Sequence, residues 1–137
     1  MLLLNVDCKT PIEAIKIAGN LLVDNGYCNN NYVDKMIEKY KELGEYIVVD
    51  SQIAMPHARP EDGAIKSGFS IITLKKPITF GHEENDPVSI VFGLVASSSF
   101  EHIRTIQTLA ILCESKEFLN SLLSGNKNEI YKYINKD

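Results

Sequence analysis

Apolar residues recur along this chain with two different periods, and the changes between them mark out its elements. From Ile12 the positions Ile15, Ala18 and Leu22 keep helical spacing up to a stop at Gly26. Thr10-Pro11-Ile12-Glu13 supplies the start: Thr as N-cap, Pro at the first helical position, Glu closing a capping box. A second stripe of Val33, Met36, Ile37, Tyr40 and Leu43 follows the N-cap candidates Asn29 to Asn31 and ends at Gly44. These segments predict two helices packed as a hairpin.

The pattern then shortens. Tyr46 to Val49, Ser67 to Leu74 and Val88 to Val95 read as strands, with turns at Lys75-Lys76-Pro77 and Glu83 to Pro87. Val88 to Val95 is almost uniformly apolar, as expected of a central strand covered on both faces. Helical spacing returns at the capping box Ser98-Ser99-Phe100-Glu101, with Phe100, Ile103, Ile106, Leu109, Ala110 and Cys113 on the predicted core face. Phe118, Leu119, Leu122 and Leu123 predict a shorter helix ending at Gly125. Asn126 with Glu129 caps a terminal helix carrying Ile130, Tyr133 and Ile134. Two helices, a small sheet and three helices predict the α/β class, a small mixed β-sheet sandwiched between helices, in a single domain over 1–137.

Composition narrows the function classes. Apolar residues make up 45% and charged residues 23% of the 137, as in an ordinary soluble globule. Lys and Arg number 14 against 18 Asp and Glu, a balance that argues against a nucleic-acid surface. Met1 to Leu4 is apolar but lacks the basic flank and length of a signal segment. No run approaches the roughly 18 to 20 apolar residues of a membrane span. Cys8, Cys28 and Cys113 are odd in number and widely spaced, with no metal-type or redox pair, so a reduced cytoplasmic setting is expected.

The segment Ile53 to Glu61 concentrates the candidate chemistry. His57 stands between Pro56 and Pro60, whose rings stiffen the backbone around it, where an apolar run passes into a polar loop. Such a loop on a rigid scaffold can present a reactive side chain, and neutral imidazole is a nucleophile. His102 falls in the first turn of the helix capped near Ser98, where the helix field favours anions and disfavours imidazolium. Should the two loops share one end of the sheet, His57 and His102 would face each other across an anion site suited to phosphoryl transfer. Arg59 would add a charged donor. The same residues also have plainer readings. A proline-framed turn accommodates a structural histidine, a first helical turn an exposed one, and Arg59 is an ordinary surface charge. A metal-dependent hydrolase using His57, His102 and a carboxylate is a further alternative, without HxH or HxxxH spacing to support it.

Val48 to Glu61, taken with Phe80-Gly81, Asn85-Asp86-Pro87-Val88 and Glu101-His102-Ile103, resembles the enzyme IIA domains of the bacterial sugar phosphotransferase system. The resemblance is to the mannitol/fructose-type class and covers essentially the whole chain. Ala54-Met55-Pro56-His57-Ala58-Arg59-Pro60-Glu61 is most similar to the branch associated with ascorbate and galactitol transport. It implies that His57 takes a phosphoryl group from the phosphocarrier HPr and passes it to a cysteine of enzyme IIB. It further implies that His102 assists the phosphoryl group, that Arg59 belongs to the branch motif, and that no metal or organic cofactor takes part. Enzyme IIB, and through it the membrane component IIC, would be the onward partners of a cytoplasmic carrier. Some IIA-like domains instead act as regulatory modules that signal phosphorylation state, which is the alternative role. Family members often carry Glu six residues before the active histidine, where this chain has Ser51.

Overall fold

The computed structural model describes residues 1–134. An edge strand β1 (Leu2–Val6) precedes α1 (Pro11–Asp24) and α2 (Asn30–Leu43). Then come β2 (Val48–Asp50), β3 (Ile53–Ala54), β4 (Gly68–Ile78) and β5 (Val88–Val95). The helices α3 (Ser99–Glu114), α4 (Lys116–Ser124) and α5 (Lys127–Ile134) follow. One five-stranded sheet has the order β1-β4-β5-β3-β2. β4 runs antiparallel to β5, whereas β1 beside β4 and β3 beside β5 are parallel. The predicted mixed sheet between helices is the observed architecture.

Every residue of β5 is buried, and its alternation serves two faces. Val88, Val91 and Val95 pack with Ile15, Ala18 and Leu22 of α1 and with Tyr32, Val33 and Met36 of α2. Ile90, Phe92 and Leu94 join Leu109 of α3, Phe118 and Leu122 of α4, and Ile130 of α5 on the opposite face. Burial of these side chains is the main favourable term, each fully buried one worth roughly 1.5–3 kcal/mol. Gly93 lets α1 lie close: a Cβ there would stand 2.5 Å from the Ser70 hydroxyl and 3.2 Å from Ala18. The Ser70 hydroxyl donates to the Ala18 carbonyl at 2.8 Å, satisfying a polar group inside the sheet. Thr10, Asn29 and Ser98 accept backbone N–H groups at the starts of α1, α2 and α3, where the sequence put their caps.

Several features differ from the sequence expectation, among them a 3-10 turn over Gly44–Ile47, where Tyr46 and Ile47 were expected to begin a strand. Leu2 to Val6 is a strand: its side chains alternate in burial, but leucines occupy both inward and outward positions and hide the period of two. Lys75-Lys76-Pro77, expected as a turn, continues β4 to Ile78. They are exposed and lie where the β4–β5 register shifts, so neither their charge nor the missing proline N–H breaks the ladder.

The predicted core face of α3 is the largest departure. Of its six residues only Leu109 is buried, while Phe100 is 68% and Ile103 57% exposed. Helix α3 stands off the sheet, so its apolar stripe faces a cleft and the solvent rather than the core. An amphipathic pattern shows that a helix has an apolar face, not what covers it.

Candidate functional site

His57 is delivered by a tight connection. Ser51 and Gln52 turn the chain from β2 into β3, with Gln52 at φ 65°. Both backbone groups of Gln52 are engaged: its N–H donates to the Asn85 carbonyl at 2.9 Å, and its carbonyl accepts from Ser89 and Ile90 at 2.9 and 3.1 Å. That pinning holds a left-handed backbone on a non-glycine residue. Beyond β3 the Pro56 carbonyl accepts from the Leu94 N–H at 3.0 Å, so the segment before His57 stays alongside β5. β5 then leads through Ser98 into α3, which brings His102 to the same end of the sheet.

The two rings meet there, with centroids 5.0 Å apart and planes inclined at 52°. His57 Nδ1 lies 2.9 Å from the Met55 carbonyl oxygen. A carbonyl only accepts, so Nδ1 carries the proton and Nε2 keeps its lone pair. Burial lowers the His57 pKa below 6.5, and Lys39 and His102 lower it further, against the opposing pull of the Met55 hydrogen bond. Burial and then Lys39 lower that of His102. Both rings are therefore neutral at physiological pH.

His57 lines a cleft of about 370 Å³ whose walls are mostly apolar. Val49, Ile53, Met55 and Leu94 form the sheet side, and Ile106, Ala110 and Cys113 the α3 side. Asp50 and Glu114 are the carboxylates in its lining. Ser51 is exposed and its N–H donates to the Asp50 carboxylate at 2.7 Å. The carboxylate nearest in sequence to that family position and lining the cleft is thus Asp50. Burial raises the Cys113 thiol to about 11, with Asp50 adding to the effect, so Cys113 stays protonated.

The structure brings His57 and His102 together but does not bring Arg59 into the apolar cleft. Arg59 is exposed and lines a second, polar basin with Lys35, Lys39, Glu38, Glu42 and Asp62. Its N–H is held by the Asp62 carboxylate at 3.0 Å. Lys39, which the sequence reading passed over, borders that basin and is close enough to act on both imidazoles. A signal was available: Lys39 interrupts the α2 stripe beside Met36 and Tyr40, where a lysine is half-buried by its neighbours. Among the described residues no group of three or more His, Cys, Asp or Glu side chains could hold a metal ion. His82 is half-buried, and its Nδ1 accepts the Asn85 N–H at 3.1 Å within the β4–β5 loop.

The depressed imidazoles predict an acid weakness. Unfolded histidines protonate near 6.5, while the folded rings resist protonation, so the unfolded chain binds more protons between those values. Stability contributed by the pair is present above pH 6.5 and is lost as pH falls through that value towards the folded ones. Thermal unfolding followed between pH 7.5 and 5.5 should show a falling Tm. The loss should be smaller in a His57→Gln, His102→Gln variant; equal losses would contradict the assignment.

A proline-framed histidine beside a second imidazole stands at one end of the five-stranded mixed sheet of this α/β domain. The family model for the phosphoenolpyruvate-dependent sugar phosphotransferase system, EIIA 2, matches residues 1–137. The chain belongs to that family.

An ascorbate-specific PTS system EIIA component from Escherichia coli K12 is 37% identical over 120 residues, 87% of this chain and 78% of that protein. The Salmonella typhimurium LT2 protein of the same description is 40% identical over 99 residues, 72% of this chain. There the match spans 64% of the relative's length, just under two thirds. Among solved structures, the mannitol-specific cryptic phosphotransferase enzyme IIA CmtB of E. coli has a TM-score of 0.83 at 31% identity, covering 96% of this chain and 89% of that one. Enzyme IIAMTL of E. coli, solved in complex with phosphorylated enzyme IIBMTL, has a TM-score of 0.85 at 28% identity, covering 98% and 93%. The nitrogen regulatory protein IIA-Ntr of Neisseria meningitidis, at 20% identity and TM-score 0.68 over 89% and 84%, shares the fold alone.

Proposed function

We propose that this chain is a cytoplasmic phosphoryl carrier of an ascorbate-type sugar phosphotransferase system, with His57 as the residue that bears the phosphoryl group. The observation that carries the reading is the neutral His57–His102 pair at 5.0 Å, with Nδ1 of His57 tied to Met55 and Nε2 left free. The ascorbate-specific relatives support the substrate class, and the IIA–IIB complex among the structural relatives supports the onward partner.

The lone pair on Nε2 attacks the phosphorus of phospho-HPr as the phosphorus–nitrogen bond to HPr breaks. The HPr imidazole recovers its electron pair, so the exchange conserves charge and needs no oxidant or cofactor. Such a transfer passes through a loose transition state, and the protein's task is to position and stabilise the phosphoryl oxygens. His102 donates a ring N–H to them. Lys39, which opposes protonation of His57 in the free protein, attracts the phosphoryl dianion in the loaded one. Arg59 lies in the adjacent basin, where it meets the partner's rim rather than the apolar cleft. A cysteine thiolate of enzyme IIB then attacks the same phosphorus from the open side, and the His57–phosphorus bond breaks.

Both partners need a place to dock, and the exposed stripe of α3 beside the cleft is suited to it. Ile103→Asp on this face is expected to leave stability within about 0.5 kcal/mol, as for other exposed sites. It should raise the KM for phospho-HPr about tenfold, the cost of a charge at the core of an interface. An unchanged KM would remove α3 from the docking surface. The proposal itself is tested by incubation with phosphoenolpyruvate, enzyme I and HPr: mass spectrometry should find one acid-labile phosphoryl adduct. No adduct, or an acid-stable one, would refute it.

A further inference from the structure

Tyr32 is among the largest fully buried side chains, 1% exposed, yet it ends in a hydroxyl. That oxygen lies 2.7 Å from the Leu94 carbonyl, 3.3 Å from the Ala58 carbonyl and 3.1 Å from the Ala58 nitrogen. With one proton to give, the phenol donates to the nearer carbonyl, Leu94, and accepts the Ala58 N–H. Burial pushes its pKa well above the usual tyrosine value, so the proton stays in place at any physiological pH.

The positions of these partners give the bond its meaning. Ala58 directly follows His57, and Leu94 lies in β5 on the way to the α3 cap at Ser98. Tyr32 itself is on α2, seven residues before Lys39 and so on the same helical face two turns away. One hydroxyl therefore joins the three pieces of backbone that present His57, His102 and Lys39.

We propose that Tyr32 is a positioning residue for phosphoryl transfer: its hydroxyl clamps the Ala58 amide to the Leu94 carbonyl and so fixes His57 relative to His102 and Lys39. The inference rests on His57 being the phosphoryl acceptor. A phenylalanine would fill the same volume, and the chain would gain nothing by burying an oxygen there if packing were the whole role. A misplacement of the nucleophile by a fraction of an ångström is costly, up to about a hundredfold for 1 Å.

The test is Tyr32→Phe, compared with Ile15→Val, a methyl deletion in the same core cluster. At a temperature well below both unfolding transitions, Tyr32→Phe should slow phosphoryl uptake from phospho-HPr at least tenfold at saturating donor, with its KM within about twofold of wild type. Ile15→Val should keep the wild-type rate. In the unphosphorylated chain, nitrogen NMR of His57 should show a single Nδ1–H tautomer in wild type and a tautomer mixture in Tyr32→Phe, with the titration moved up towards 6.5. Wild-type uptake together with a wild-type titration in Tyr32→Phe would overturn the proposal. The titration does not use phosphoryl transfer, so it tests whether Tyr32 holds His57 in place separately from whether His57 is the acceptor. Wild type supplies a further check that needs no variant: the Ala58 amide should exchange its hydrogen as slowly as the amides of β5, and loop-like exchange would contradict the clamp.

Discussion

His57→Ala is expected to take up no phosphoryl group from phospho-HPr, a loss of at least about four orders of magnitude in rate. The size of the effect follows from the site. Nε2 of His57 is the free lone pair of the pair's leading ring, because the Met55 carbonyl holds the proton on Nδ1. His102 offers a second imidazole 5.0 Å away, carried in the first turns of α3, and among the described residues no carbonyl fixes its tautomer as Met55 does for His57. The variant should fold as wild type does, since His57 sits on a loop whose neighbours Met55, Pro56 and Ala58 stay buried without it. Circular dichroism establishes the fold and intact-protein mass spectrometry the adduct. A labelled His57→Ala protein would remove His57 from the reaction.

The second large effect belongs to His102. His102→Ala should keep the fold and even favour helix α3, since alanine is the better helix former. It should slow transfer to enzyme IIB about a hundredfold, the usual cost of removing one preorganised donor from a site of developing charge. In the proposed mechanism both rings are neutral, so His102 would act by donating a hydrogen bond rather than by carrying charge. His102→Gln, which retains an N–H donor, should therefore recover part of the rate, whereas a charge-based role would predict equal losses. Single-turnover transfer from the phosphorylated chain separates the two. Wild-type rates in His102→Ala would return it to the role of an ordinary first-turn residue.

Much of this was legible because local rules and global fold agree. Thr10, Asn29 and Ser98 cap the helices they were expected to cap, and the apolar run of Val88 to Val95 is the fully buried strand it suggests. The meeting of His57 and His102 was legible only as a condition, that two loops share a sheet end. The order β5-β3 in parallel supplies that condition. Periodicity failed where one residue type serves two environments. The leucines of β1 face both ways, and the α3 stripe faces a cleft instead of the core. Arg59 was drawn in by its closeness in sequence to His57, yet it leads into the Pro60–Asp62 turn and lines the polar basin instead. Lys39 went unseen because a single lysine on a helix is ordinary until the fold brings α2 beside both histidines.

Handover from the isolated, phosphorylated chain to a purified ascorbate-type enzyme IIB tests the carrier reading most directly. Masses of both proteins, read over time after mixing, should show the phosphoryl group leaving His57 and arriving on a IIB cysteine one for one. A phosphorylated chain that holds its group in the presence of IIB, or that bears it on a residue other than His57, would contradict the account.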